Sequence, residues 1–392
     1  MKKLIIIKYG ELTTKHDNIN FFIKTLKNNI ESSLSGIDNK ITYDVGRMFI
    51  ETDEYDEVVK KLTNTFGIHE INIAYEIDDR SLDNISKVLI ELLSDKDFNT
   101  FKVVTKRSDK SYPIKSMDVS RTLGGVVLKN KKTVKVDVNN PELLINVEIR
   151  NNKAYLYFEK VEGIGGYPVG TLGKGMLMLS GGIDSPIAGY LAMKRGIRIE
   201  GVYFDSPPHT SIDAKNKVLE LASILSSYSG YVKLHVIHFT EIQEAIYKYC
   251  PKEYMITIMR RMMYRIAEKL AHKNNCKAII NGESVGQVAS QTLTSMAAIN
   301  EVIKMPVLRP VCCYDKIEII DLAKKIGTYD ISIRPFQDCC TIFVPEHPVI
   351  NPEIEKAREY EQAFDFETLI NAAVKNDEVI KLPLDNKFDD IL

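Results

Sequence analysis

The sequence predicts an α/β protein whose C-terminal half is a doubly wound parallel sheet, preceded by two smaller α+β modules. Three observations carry this. From Met176 onward, short apolar runs alternate with stretches of helical spacing, the pattern of repeated β-α-β units. Residues 1 to about 76 read strand, helix, strand, strand, helix, strand, the split β-α-β order. Between the two lies a segment of different character, in which Phe101 to Lys135 holds ten Lys or Arg against two Asp.

The elements follow in order. Leu4–Tyr9 reads as a strand, and Asn18–Ser33 as a helix with Ile19, Phe22, Ile23, Leu26 and Ile30 on one face. Ile41–Val45 and Met48–Glu51 flank Gly46-Arg47 as a hairpin. Asp56–Thr65 is a helix and Asn72–Tyr75 a strand. Leu82–Ser94 is an amphipathic helix, Thr100–Thr105 a strand, Met117–Lys129 a helix and Thr133–Val138 a strand. Leu144–Arg150 and Ala154–Phe158 form a second hairpin. Gly163, Gly165, Gly166, Gly170, Gly173 and Gly175 then crowd together as a candidate junction. The parallel sheet takes strands at Met176–Leu179, Ile199–Phe204, Lys233–His238 and Ala278–Asn281. Its helices are Pro186–Arg195, Ser211–Ser226, Tyr254–Lys273 and Asp315–Ile326. The polar tail from Asn376 to Leu392 is expected to be partly disordered.

Composition excludes several classes. The chain has 392 residues and a net charge of -1, so no global charge announces a nucleic-acid partner. No apolar run approaches the roughly 18 residues that span a bilayer, and Met1–Lys8 reads as a first strand rather than a signal. A cytoplasmic protein with no membrane partner is expected. The six cysteines, Cys250, Cys276, Cys312, Cys313, Cys339 and Cys340, include no C-x-x-C pair. A disulfide scaffold and a zinc ribbon are therefore not expected. His209, His235, His238, His272 and His347 make no metal-ligand spacing with them, and nothing in the spacing argues for an iron–sulfur cluster.

Chemistry concentrates in a few places. Ser180-Gly-Gly-Ile-Asp-Ser-Pro186 lies between an apolar strand and a helix. Such a turn aims backbone N–H groups and a helix N-terminus at phosphate oxygens. Ser180 and Ser185 add hydroxyl donors, and Asp184 a carboxylate suited to Mg²⁺ against a phosphate. Gly282–Thr292 reads as a second ligand loop after a short strand. Arg260 sits on a strong helical pattern from which it could reach a phosphate, while its neighbours Arg261 and Arg265 read as surface or inter-element pairs. The basic segment, net +8, offers phosphate contacts from Lys102, Lys106, Arg107, Lys110, Lys115 and Arg121, with Phe101 and Tyr112 interleaved. Its alternative is a solvated charged surface. Cys339-Cys340 reads either as two small buried hydrophobes or as a site where one thiol carries reactive sulfur. Cys312-Cys313 has the same two readings, and the buried one is favoured there.

The Ser180–Ser185 run resembles the PP-loop (SGGxDS) of ATP pyrophosphatases, and Phe101–Val126 resembles a THUMP domain. With Lys194-Arg-Gly196, Ser206-Pro-Pro208, Asn281-Gly-Glu-Ser284, Gly286-Gln287, Gln291 and Asp338-Cys-Cys340, the whole chain resembles the tRNA 4-thiouridine sulfurtransferases. The resemblance implies a ferredoxin-like module over 1–76, a THUMP RNA-binding domain over 77–165, a Gly-rich linker over 166–175 and a PP-loop ATP pyrophosphatase domain, of adenine nucleotide α-hydrolase-like fold, over 176–392. It implies an ATP site from Met178, Leu179, Ser180, Gly181, Gly182, Asp184, Ser185, Tyr203, Phe204, Arg260, Gly282 and Gln291, with Mg²⁺ held by Asp184 through ATP. A tRNA uridine would be adenylated at its C4 oxygen, and a persulfide on Cys340, or on the adjacent Cys339, would supply sulfur. tRNA and a cysteine desulfurase are the implied partners, and a homodimer is compatible with the sequence. Some relatives carry a C-terminal rhodanese domain. This chain is expected to lack one, so its sulfur relay is expected to differ, and a thiamine-biosynthesis role stays open. A PP-loop ligase or thiolase acting on another substrate is the alternative, and an RNA-binding protein with a vestigial ATP site is a third reading.

Overall fold

The computed structural model describes every residue except 11, 13–17, 45, 151, 337, 338, 340, 341, 343–346 and 384–392. The chain divides into two compact units, Met1–Gly165 and Gly166–Leu392.

In the first unit the order is β1 (Lys2–Tyr9), α1 (Ile19–Ser33), β2 (Lys40–Tyr43), β3 (Arg47–Glu51), α2 (Tyr55–Leu62) and β4 (Ile68–Ile77). Then come α3 (Leu82–Leu93), β5 (Thr100–Arg107), α4 (Ser116–Asn130), β6 (Lys135–Val136), β7 (Leu143–Arg150), β8 (Lys153–Tyr157) and β9 (Val161–Glu162). Among the described residues these strands make one continuous sheet, ordered β2-β3-β1-β4-β8-β7-β5-β6, with β9 also on β4. The two anticipated modules share this sheet, joined where β4 and β8 pair antiparallel from Tyr75↔Leu156 to Ile77↔Ala154. Helices α3 and α4 bury Ile85, Leu89, Val119, Leu123 and Val127 against Phe101 and Ile145 of the sheet. The expected strand Thr133–Val138 shortens to β6, because only Thr100↔Lys135 and Phe101↔Val136 find partners.

The second unit runs β10 (Lys174–Met178), α5 (Asp184–Lys194), β11 (Arg198–Asp205), α6 (Ile212–Ser226), β12 (Val232–His238), α7 (Thr240–Tyr249), α8 (Met255–Lys273) and β13 (Ile279–Ile280). It continues with α9 (Leu293–Asn300), β14 (Val307–Leu308), α10 (Lys316–Ile326), α11 (Tyr329–Ser332), α12 (Ile354–Glu361), α13 (Phe366–Lys375) and β15 (Glu378–Leu382). The sheet order is β14-β13-β10-β11-β12-β15, parallel except for β15. Strand β11 is buried along almost its whole length, as expected when helices cover both faces. Capping fixes where several helices begin. The Ser211 and Thr292 hydroxyls accept from Ala214 N and Ser295 N, and Asp315 with Glu318 forms a capping box at α10. Helix α8 carries Ile258, Met262, Ile266 and Leu270 into the core and buries Arg261, whose guanidinium is paired with Glu361 of α12.

Two segments show more structure than the sequence reading assigned them. Residues 167–173 of the glycine-rich stretch are not a free linker: Tyr167 N donates to Lys194 O, and Gly170 N and Leu172 N donate to Gly196 O. Gly175 lies inside β10. The polar tail is ordered as far as β15, which pairs antiparallel with β12 from Val232↔Leu382 to Val236↔Glu378. The rest of the tail falls outside the described residues.

Candidate functional site

In open α/β sheets ligands bind outside the carboxyl ends of the strands. Here β10 ends at Met178 and α5 begins at Asp184, so residues 179–183 form the intervening loop. The loop holds itself closed. The Ser185 hydroxyl accepts from Ser180 N at 3.0 Å, donates to Ser180 O at 3.2 Å and lies 3.1 Å from Ser180 Oγ. Ser180 Oγ in turn accepts from Gly182 N at 3.3 Å. Both hydroxyls, expected to add donors toward a phosphate, also set the shape of the loop.

Asp184 opens α5 and is clamped from two directions. Lys316 Nζ, at the start of α10, lies 2.6 Å from Oδ1, and Gln287 Nε2 donates to Oδ2 at 3.1 Å. The second loop presses directly on the first. A Cβ on Gly282 would sit 2.6 Å from both Asp184 C and Ser185 N, so only glycine permits this approach.

Beneath them lies a buried polar cluster around Glu283, which is 2% exposed. Its carboxylate accepts from Arg260 Nη2 at 2.7 Å, Arg309 Nε at 2.7 Å, Asn281 Nδ2 at 2.8 Å and the Tyr264 hydroxyl at 3.2 Å. Burial alone would raise this carboxyl, but Arg260 and Arg309 together overcome it and hold Glu283 below the ordinary carboxylate range. The Tyr264 hydroxyl is pushed the other way, by burial first and by the Glu283 charge second.

These elements enclose a cavity of about 220 Å³. Of the expected nucleotide residues, Met178, Leu179, Ser180, Gly182, Asp184, Ser185, Tyr203, Phe204, Arg260, Gly282 and Gln291 all line it, and Gly181 does not. Cys339 lines it too and is buried, with its carbonyl accepting from Gln243 Nε2 at 2.7 Å. Asp338 and Cys340 lie outside the described residues. Ile342 N donates to Cys339 O at 3.5 Å. Sequence reasoning missed Met263, Asn281 and Glu283 as lining residues and Lys316 as the partner of Asp184. The signal for Asn281 and Glu283 was present in the second loop.

The basic segment separates into two groups. Lys106, Lys110, Lys115 and Arg121 are exposed, with Arg121 paired to Asp118 at 3.3 Å. Arg107 instead donates to Tyr112 O at 2.6 Å and Ile114 O at 2.9 Å, and Lys102 donates to Val138 O at 2.8 Å. Phe101 and Tyr112, interleaved with these bases in the sequence, are core residues. Tyr112 is held there by its hydroxyl bond to Arg80 O at 2.9 Å.

Among the described residues no group of three His, Cys, Asp or Glu side chains could hold a metal ion, and no helix is long and apolar enough to cross a membrane. Asp184 as a single accessible carboxylate fits a Mg²⁺ that arrives with polyphosphate, since that ion takes one or two carboxylates plus phosphate oxygens and water.

Comparison with known proteins agrees with this architecture. Family models for the ThiI ferredoxin-like domain, the THUMP domain and the thiamine biosynthesis protein ThiI match residues 4–72, 79–159 and 170–366. A probable tRNA sulfurtransferase from Thermoanaerobacter sp. (strain X514) is 50% identical over 373 residues, covering 95% of this chain and 98% of the relative. One from Staphylococcus aureus (strain JH1) is 46% identical over 388 residues, covering 98% and 95%. Among solved structures, a 4-thiouridine synthetase in complex with RNA and bound ATP superposes with a TM-score of 0.88 at 37% identity, covering 97% of this chain and all of that one. PH1313 from Pyrococcus horikoshii gives 0.66 at 26% identity, covering 83% and 99%. With three family models in register along it and a half-identical relative matched almost end to end, the chain belongs to the ThiI family of tRNA sulfurtransferases.

Proposed function

We propose that this chain is an ATP-dependent tRNA sulfurtransferase that converts a tRNA uridine to 4-thiouridine. The observation that carries the reading is the shared cavity: the phosphate-type loop, the aromatic pair Tyr203 and Phe204, Arg260 and Cys339 all face one space. An adenylation site and a sulfur-bearing segment belong together only if the activated atom is also the one that receives sulfur.

The loop at 179–183 and the first turn of α5 offer backbone N–H groups to the ATP phosphates, held ready by the Ser180–Ser185 bonds. Tyr203 and Phe204 provide the aromatic wall for adenine, and Arg260, oriented by Glu283, brings positive charge to the phosphates. Mg²⁺ held by Asp184 and the phosphates would neutralise charge on the leaving pyrophosphate. The uridine C4 oxygen attacks the α-phosphorus and pyrophosphate departs. The terminal sulfur of a cysteine persulfide then attacks C4 and AMP leaves. A thiol finally attacks the cysteine-side sulfur, so that 4-thiouridine is released and a disulfide remains for an external thiol to reduce. Cys340 carries the persulfide by family resemblance, and Cys339 is the neighbouring thiol that lines the cavity. The exposed bases Lys106, Lys110, Lys115 and Arg121 supply phosphate contacts to tRNA. A cysteine desulfurase delivers the sulfur, in the cytoplasm.

The test is to incubate the pure protein with unmodified tRNA, Mg-ATP, cysteine, a cysteine desulfurase and dithiothreitol, and then digest the tRNA. 4-Thiouridine is expected with the wild type and is expected to be lost with Cys340→Ser. tRNA-dependent pyrophosphate release without product would overturn the sulfur route. Neither signal would favour a PP-loop ligase acting on another substrate.

A further inference from the structure

The turn between β14 and α10 carries two adjacent thiols, and both of its ends reach into the nucleotide site. At one end Arg309 binds Glu283 at 2.7 Å, and at the other Lys316 binds Asp184 at 2.6 Å. Between them Cys313 is exposed and Cys312 half-buried, with their sulfurs 3.5 Å apart. The peptide joining the two cysteines is itself a contact to the second ligand loop: the Cys312 carbonyl accepts from Val285 N at 3.1 Å, three residues after Gly282. The Ser284 hydroxyl adds a bond to Tyr314 O at 3.4 Å.

We propose that Cys312 and Cys313 form an oxidation site that closes to a vicinal disulfide and thereby weakens nucleotide binding, a regulation that rests on the cavity being the ATP site. Closing the pair leaves one residue-to-residue step inside the ring. Adjacent Cα atoms are about 3.8 Å apart across a trans peptide, short of the roughly 4.4–6.8 Å that relaxed disulfides span. The connecting peptide must therefore distort, and its carbonyl is the one that holds Val285. A strained, accessible disulfide is also readily reduced, which suits a reversible switch rather than a structural bridge.

The oxidant is a hydroperoxide. The Cys313 thiolate, at the exposed position, attacks the O–O bond, forming S–O and releasing hydroxide. The Cys312 sulfur then attacks the sulfenic sulfur, the S–S bond forms, the S–O bond breaks and water carries off the oxygen. Two thiols and one hydrogen peroxide give one disulfide and two waters. Burial, and then the neighbouring Cys313 thiol, raise the Cys312 pKa, which suits it to be the resolving partner rather than the first to react.

The experiment treats the full chain with hydrogen peroxide and follows two independent readouts. Mass spectrometry of the peptide spanning Met305–Lys316 should show loss of two hydrogens, restored by dithiothreitol. Mg-ATP affinity, by calorimetry, should fall about fivefold on oxidation and recover on reduction, the scale of one lost backbone hydrogen bond. Cys313→Ser should keep its ATP affinity through the same treatment. The proposal is overturned if no Cys312–Cys313 disulfide forms, if it forms with affinity unchanged, or if Cys313→Ser loses affinity as the wild type does, since Cys339 or Cys340 would then be responsible. Absence of Mg-ATP binding by the reduced wild type would count against the cavity assignment instead, and the mass readout separates that case.

Discussion

Replacing Glu283 by Gln should destabilise the C-terminal unit strongly while barely changing its shape. The native carboxylate is 2% exposed and accepts from two guanidiniums, an amide and a phenol. Gln keeps the volume but loses the charge, and its amide nitrogen turns a donor toward other donors. Two half-buried cations then lose their counter-charge. Breaking a buried ion pair from one side costs about 3–5 kcal/mol, and at about 2–4 °C per kcal/mol for a unit this size the melting midpoint should drop by roughly 6–12 °C even at the low end of that range. The sign of the pH effect follows from the depressed carboxyl. Its contribution is present above the unfolded Glu pKa of about 4.3 and is lost as pH falls through the lower folded value. Acid destabilisation of the wild type should therefore be partly absent from E283Q. Calorimetric melts of both proteins at neutral pH and at values below about pH 4 decide the matter. A midpoint shift under about 2 °C, or parallel acid limbs, would refute the view that this carboxylate is an uncompensated need of Arg260 and Arg309.

Other consequences are equally direct. Asp184→Asn should reduce tRNA-dependent pyrophosphate release about a hundredfold or more while leaving tRNA affinity intact, and near-normal turnover in a pyrophosphate assay would remove Asp184 from the chemistry. Changing Lys106, Lys110 and Lys115 together to Gln should flatten the salt dependence of tRNA binding by about 2–3 logarithmic units of slope, and an unaltered slope would sink the patch assignment. Arg107→Gln should instead lower stability, because its guanidinium holds the Tyr112 and Ile114 carbonyls. His235 is pinned between Asp377 at 2.8 Å and Glu200 at 3.4 Å on the strand that pairs with β15. Burial would lower its pKa, but the bonds to Asp377 and Glu200 raise it overall. Its stabilisation is full below the unfolded pKa of about 6.5 and fades as pH climbs through the raised folded value. His235→Gln should flatten the urea midpoint as pH rises above about 6.5, and a wild-type midpoint that does not fall there would contradict the clamp.

What the sequence made legible was local. Ser180–Ser185 could be read because a glycine-rich turn between an apolar strand and a helix has few other uses, and its cavity-facing role needs only its own residues. Lys316 could not be found that way: it lies 132 residues from Asp184 in sequence, and nothing nearby marks it as the partner of a carboxylate. Glu283 stood in plain view within its motif, yet the Arg309 that helps neutralise it comes from the far side of α9. The burial of Phe101 was not legible because a strand shows alternate residues to alternate faces, and position in a basic run does not say which face is covered; Tyr112 lies beyond β5 in a loop and is buried through its bond to Arg80 O, 32 residues away. Strand β15 was missed for a related reason. As an antiparallel edge with Glu378 and Lys381 in it, it has the polar half-pattern of a tail, and only pairing with β12 makes it a strand.

The polar side chains of the site bind one another before they bind anything else, and this has a chemical consequence. The two loop hydroxyls are engaged inside the loop, Asp184 is matched by Lys316, and Glu283 by Arg260 and Arg309. What remains for a nucleotide is chiefly backbone N–H, the N-terminus of α5 and cations already fixed in position. In the proposed reaction, groups of that kind need no reorganisation when charge moves to the leaving pyrophosphate, so their stabilisation is available in full at the transition state. The self-contained bonding that makes the serines look uninvolved in catalysis is thus what allows the loop to present its amides, and the counter-charge on Glu283 is what keeps Arg260 aimed at the cavity rather than released to solvent.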